Sequence, residues 1–187
     1  MVHEVGHVAT IATKMTVADY EKVPPPPGGR WELRHGELAK VGFPKREHYN
    51  AQRMLAKLLE AIAGPQYVAG IEIAFRPLPE YEVWGADVGV VPLARWKAGS
   101  MGDWLTGSPE IVIEILSPSN TASEMLDREE TCMAGRCLEF WTVDTGKRKV
   151  RVTRRDAPAH IYKLGDHIPL TVLGANAALE VAAICDE

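Results

Sequence analysis

The sequence predicts an α/β domain, a mixed sheet of roughly five strands flanked by helices, and three stretches carry that prediction. Residues 109–119 (PEIVIEILSPS) form a short β-branched run closed by a Ser-Pro-Ser turn, which reads as a buried strand and not as a helix. Residues 47–62 place Ala51, Met54, Leu55, Leu58, Leu59 and Ile62 at the 3.6-residue spacing of a helix with one buried face. Residues 149–154 (KVRVTR) alternate strictly between apolar and polar, as a strand with one buried face does.

Composition sets the outer bounds. At 187 residues, with 46% apolar and 25% charged residues, the chain suits one well-filled globular domain. A formal charge of −4 does not advertise nucleic-acid binding, so any such contact needs a local basic patch. Three cysteines, Cys132, Cys137 and Cys185, are too few and too odd in number for a disulfide framework and fit a reducing compartment. No apolar run approaches the roughly 18 residues of a membrane span, and the N-terminus lacks the pattern of a signal peptide. The expectation is a soluble, cytoplasmic protein.

Along the chain, residues 1–29 read as a tail and connector, and residues 30–187 as a single domain. His3-Glu4-Val5-Gly6-His7 matches H-E-x-x-H, the spacing that sets two zinc-binding imidazoles on one helical face. Gly6 and the terminal position favour a chance match in a loosely docked tail. One helical turn is expected at 16–20, and Pro24–Pro27 with Gly28 and Gly29 form an extended connector. Residues 31–41 (WELRHGELAKV) suggest a hairpin turning at Gly36, with Glu37 near its middle.

The helix at 47–62 ends at Gly64-Pro65 and carries His48 near its start, either as a packing residue or as part of a site. Strands follow at 69–76 and 85–91, then a surface loop at 93–108. A helix at 121–134 is capped by Ser119 or Asn120, with Ala122, Met125, Leu126, Cys132 and Met133 as its apolar stripe. Further strands are expected at 138–143, 149–154 and 159–164, with turns at 144–147 and 165–166.

Within this frame two carboxylates stand out. Alternation sets Ile111, Ile113 and Ile115 on one face of the central strand, and Glu110, Val112, Glu114 and Leu116 on the other. Glu114 thus lies among apolar residues, where a carboxylate needs a hydrogen bond, an opposite charge or a metal. Asp87 opens the neighbouring apolar strand, and Arg128 on the following helix is a cation within reach. Two carboxylates in a cleft suit a hard ion such as Mg²⁺ or Mn²⁺, and bound metal can activate water against a phosphodiester. The alternative to a metal site at Glu114 is a stabilising ion pair with Arg128, a pairing open to it whether or not metal binds.

The segments WELRHGEL, the helix bearing His48, ADVGVV, PEIVIEILSPS and EFWTVD together resemble the restriction endonuclease-like (Uma-two type) family of the PD-(D/E)XK nuclease superfamily, from about Thr16 to the C-terminus. The resemblance implies a restriction endonuclease-like sheet and Mg²⁺-dependent hydrolysis of DNA by a homodimer. It makes Asp87 and Glu114 metal ligands, joined by the backbone carbonyl of Ile115. Leu116 stands where many superfamily members carry a lysine. In this family that lysine sits on the next helix, at the position of Arg128, which would contact the scissile phosphate. Glu37, His48 and Glu124 match supporting positions, while Cys132 and Arg136 replace the usual Tyr and Gly. Arginine stays charged and cannot serve as a base, so the alternative is a catalytically impaired protein that binds or assembles. The one dense basic run, residues 147–155, would either meet DNA phosphates or protect a solvated edge strand.

Overall fold

The protein is described by a computed structural model covering residues 14–100, 102–174 and 176–185, so the His3–His7 motif lies outside the described residues. The chain begins with one helical turn, α1 (Val17–Tyr20), closed by a Thr16–Asp19 capping box. Val17 is buried with Leu33 and Val83, and Met15 N–H donates to the Gly36 carbonyl. The chain is therefore part of the packed domain from Lys14 onward, and Gly29, assigned by sequence to the connector, already lies in a strand.

That strand, β1 (Gly29–Arg34), pairs with β2 (Glu37–Gly42) through a two-residue turn in which His35 has φ 52° and Gly36 φ 83°. Two successive left-handed residues are what a tight hairpin of this twist requires. Next comes α2 (Arg46–Ala63), the longest helix. Its buried row is Gln52, Leu55, Ala56, Leu59 and Ala63, so of the expected face Leu55 and Leu59 are buried while Ala51, Met54, Leu58 and Ile62 are half-buried.

The main sheet has seven strands, more than the roughly five suggested by pattern, in the order β5-β3-β4-β6-β7-β8-β9. These are β3 (Tyr67–Arg76), β4 (Trp84–Pro92), β5 (Leu105–Thr106), β6 (Ile111–Ile115), β7 (Glu139–Asp144), β8 (Lys149–Arg154) and β9 (His160–Lys163). The stretch at 93–108 is not a loop throughout. It contains α3 (Leu93–Ala98) and the short edge strand β5, pieces too brief for periodicity to reveal. Helix α4 (Ala122–Ala134) joins β6 to β7, which run parallel. The chain closes with the hairpin of β10 (His167–Pro169) and β11 (Ala178–Glu180) and with α5 (Val181–Cys185). Among the described residues no helix is long and apolar enough to cross a membrane.

Side-chain alternation on β6 divides the core in two. Ile111, Ile113 and Ile115 pack with Leu55 and Leu59 of α2 and Ile184 of α5. On the opposite face Val112 packs with Phe75, Trp84, Phe140 and Cys132 of α4. Helix α4 differs from expectation: its cap is Thr121, its buried residues are Arg128, Thr131 and Cys132, and Leu126 is 51% exposed. The helix is turned so that a cation faces the sheet beside Cys132 and Met133, while Ala122 and Leu126 of the expected stripe face outward. Leu59→Ala is accordingly expected to cost about 2–5 kcal/mol, whereas Leu126→Ala costs within about 0.5 kcal/mol, both read from urea midpoints.

Candidate functional site

The site forms where two neighbouring strands part. β4 and β6 pair at Val90↔Ile111, Gly89↔Val112 and Val88↔Ile113, and the ladder stops there. At the next position the side chain of Asp87 takes over, its Oδ2 accepting the Ile115 N–H at 2.8 Å. Further along, β4 remains paired only with β3. On the free side, Gly85 N–H donates to Glu32 Oε1 at 3.0 Å, and the Gly85 carbonyl accepts from Arg128 at 2.6 Å. Side chains thus satisfy backbone groups that a longer β6 would have covered.

Arg128 is the hub of this region. It is buried, donates to Glu114 Oε1 at 2.9 Å and Glu32 Oε2 at 3.1 Å, and lies 4.9 Å from the Trp84 ring centroid. One guanidinium therefore serves two buried carboxylates, with the indole beneath it adding a cation–π contact. Glu32 has further cationic neighbours in Arg34, at 2.8 Å, and Arg30, at 3.3 Å. Burial opposes ionisation of Glu32, but Arg128 and Arg34 outweigh it and hold its carboxyl below the usual range. Glu114 has Arg128 alone. Burial dominates there, Asp87 and Glu32 add to it, and the Glu114 carboxyl is pushed up to about 8. Glu114 is the surplus acid of the cluster.

A more open half of the cluster adjoins this buried one. Asp87 Oδ1 receives Gln52 Nε2 at 2.9 Å and lies 3.1 Å from His48 Nε2. Gln52 also donates to Glu72 Oε1 at 2.6 Å, and Arg30 closes the circuit to Glu72 at 2.6 Å. Glu72 sits in the middle of β3 with φ 52°, and the β3–β4 pairing skips it between Ile71↔Val88 and Ile73↔Ala86. A non-glycine residue in that region of backbone space is strained, and such strain persists only where surrounding contacts hold it. The hydrogen bond to Asp87 raises the affinity of His48 for a proton, against the effect of its burial. Asp87, Glu72, His48 and Arg30 keep partly exposed side chains, so the network runs from solvent to the buried Glu114.

Several residues nominated from sequence lie elsewhere or act otherwise. Arg128 is too enclosed to reach a substrate phosphate: its terminal nitrogens are committed to Glu32, Glu114 and Gly85. Glu37 is exposed at the start of β2 and its side chain makes no hydrogen bond or ion pair among the described residues; the acidic residue that the hairpin delivers to the cluster is Glu32. Glu124 is solvent-exposed and forms the capping box with Thr121. Ile115, nominated for its carbonyl, also donates its N–H to Asp87. Sequence reasoning passed over Glu32, Gln52, Glu72 and Arg30. The available signals were a glutamine in the apolar row of α2 and a glutamate between Ile71 and Ile73.

A seven-stranded mixed sheet with α2 and α5 on one face and α4 on the other is a restriction endonuclease-like fold. The chain belongs to the Uma2 family, whose description reads "Putative restriction endonuclease" and whose model matches residues 17–182. A solved structure from Anabaena variabilis, described as "a putative nuclease belonging to DUF820", shares the fold with a TM-score of 0.79 at 17% identity, over 91% of this chain and 97% of that one. No functionally curated protein matches the chain.

Removing the guanidinium, as in Arg128→Met, takes from Glu114 its one cationic partner, from Glu32 one of three, and from the Gly85 carbonyl its donor, and is expected to cost about 3–5 kcal/mol by chemical denaturation. A second expectation concerns pH. An unfolded glutamate releases its proton near 4.5, whereas Glu114 in the folded protein keeps its proton to about 8. Across that window the folded state binds the extra proton, so this group makes stability fall as pH rises. Glu114→Gln, which stays neutral, should flatten that part of the curve in urea midpoints measured at several pH values.

Proposed function

We propose that the protein is a divalent-metal-dependent nuclease that hydrolyses DNA phosphodiesters at Asp87 and Glu114. The observation carrying this reading is the linking of four carboxylates, Glu32, Glu72, Asp87 and Glu114, in one network that runs from solvent to the sheet interior. At its buried end Glu114 holds its proton up to about 8, and a bound cation would stabilise its ionised form. The donor set suits Mg²⁺ or Mn²⁺, because carboxylate oxygens predominate and thiolates are absent from the cluster. Among the described residues no three His, Cys, Asp or Glu side chains converge on one point. Mg²⁺ does not require that, since it commonly binds through one or two carboxylates and completes its shell with water and phosphate oxygens.

Asp87 and Glu114 are the side chains that would hold the ion, and Gln52, whose buried Oε1 has no hydrogen-bond partner, borders it. When bound, such an ion supplies an activated water and neutralises charge at the phosphodiester. The chain's own residues do the positioning. Gln52 and the Ile115 N–H fix the Asp87 carboxylate from two sides, and Arg128 fixes Glu114. With Arg128 enclosed, the partly exposed cationic groups of the network are Arg30, Arg34 and His48, the last favoured in its protonated form by Asp87. These three are the better candidates for phosphate contact.

The enclosure of Arg128 also supports a rival reading, in which the fold survives as a binding or assembly module without catalysis. Titration calorimetry with Mn²⁺ and a plasmid-nicking assay separate the two. The nuclease reading expects Mn²⁺ binding and metal-dependent nicking by the wild type, with both lost in Asp87→Ala. Nicking should fall at least about a hundredfold in that variant, the scale on which loss of a charge-stabilising catalytic group is felt. No binding by the wild type, or nicking that survives both Asp87→Ala and Glu114→Ala, decides for the module.

A further inference from the structure

We infer that a basic pocket on the α4 side of the sheet, two strands from Glu114, holds a phosphate of the nucleic-acid strand. This rests on the nuclease reading and extends it to how the substrate lies. The pocket encloses about 230 Å³ between Leu116, Thr142 and Ile161, and its charged members are Lys147, Lys149, Arg151 and Asp144. Register places it beside the acidic cluster. Glu114 is paired with Thr142 in the parallel β6–β7 ladder, Thr142 with Arg151 in β7–β8, and Arg151 with Ile161 in β8–β9. Residues paired across a sheet point to the same face, so Glu114, Thr142, Arg151 and Ile161 form one row. α4 confirms the face: Arg128 reaches Glu114, and the adjacent Glu129 pairs with Arg151. At roughly 4.8 Å between strands, Arg151 stands roughly 10 Å from Glu114 along that row.

The structure sorts the basic run of residues 147–155 into two groups. Arg154 is committed to Glu139, the Pro169 carbonyl and Tyr162, while Arg155 is committed to the Met133 and Cys137 carbonyls. These two tie the chain together. In the pocket, Arg151 is paired with Glu129 and Lys147 lies 3.7 Å from Asp144, largely in solvent. The Lys149 side chain has no hydrogen bond or ion pair among the described residues. A partly buried lysine whose side chain lacks a partner, next to a largely exposed lysine and over a wall of Leu116, Thr142 and Ile161, is suited to an anion carrying an apolar body. The volume is below the about 300–1,000 Å³ of ordinary small-molecule sites, which fits a single sugar–phosphate unit better than a free nucleotide. A strand running along the row from Glu114 would bring a neighbouring phosphate to Lys149 while the reacting one faces the carboxylates.

The test is binding in EDTA, where no metal-dependent cleavage occurs. Labelled single-stranded and duplex oligonucleotides are titrated by fluorescence anisotropy over a salt series, using wild type, the double variant Lys147→Gln/Lys149→Gln, and Lys57→Gln on the exposed side of α2 as control. Each lost phosphate contact lowers the log Kd against log salt slope by about 0.7 for single strands and about 0.9 for duplex. The double variant, which gives up that one phosphate, is therefore expected to lose about 0.7 or about 0.9, and Lys57→Gln none. An unchanged slope in the double variant, an equal loss in Lys57→Gln, or no binding by wild type overturns the proposal. Failure of the nuclease reading shows instead as absent metal-dependent nicking, which leaves the slope comparison intact.

Discussion

One arginine shared by two buried carboxylates is the constraint on which the rest of this structure depends. Neither Glu32 nor Glu114 would stay in the interior without a cation, because desolvating a lone carboxylate costs several kcal/mol. Arg128 supplies that cation, and each of its contacts ties a different element: Glu32 from β1, Glu114 from β6 and the Gly85 carbonyl from β4. The hairpin, the sheet and α4 are thereby locked at one point. The rotation of α4 follows from this, since burying Arg128 turns Leu126 outward.

The same constraint explains why the acidic cluster is unevenly neutralised. Glu32 collects three guanidinium groups and stays ionised, while Glu114 shares one and retains its proton into the mildly alkaline range. Asp87 pairs with His48 and Glu72 with Arg30, and the neutral amide of Gln52 donates to both carboxylates. These two acids lie at the end of the network that opens to solvent, beside the strand ends where β4 and β6 separate. A protein whose stability alone mattered would gain by replacing such a cluster with hydrocarbon. Its retention, together with the strained backbone of Glu72, is the pattern expected where ligand binding is set against stability.

Much of the architecture was legible residue by residue. Ile111, Ile113 and Ile115 fall on one face and Val112 and Glu114 on the other because alternation on a short strand leaves no other arrangement. The α2 face follows from its 3.6-residue period, and the β1–β2 hairpin from Gly36. The elements that escaped were those whose pattern is weak or deceptive. α3 and β5 are too short to show a period. α4 carries an apolar stripe that its own buried ion pair overrides. Of the cluster, Asp87, Glu114, His48 and Arg128 were visible as charges in apolar or helical context. Glu32 and Glu72 were not, because a glutamate in an alternating strand reads as a solvent-facing residue until the neighbouring element is known.

The sequence by itself determined the class of fold, the central strand with its inward carboxylate and the family pattern that runs through it. Those are local properties: side-chain period, turn chemistry and the spacing of motifs, each written within a dozen or so residues. Only the tertiary structure decided which acid is ionised, which arginine is enclosed and which lysine is left without a partner. Those outcomes depend on distances between residues far apart in the chain, such as the 96 positions from Glu32 to Arg128. Electrostatic energy in a poorly solvated interior is governed by those distances, and no local pattern encodes them.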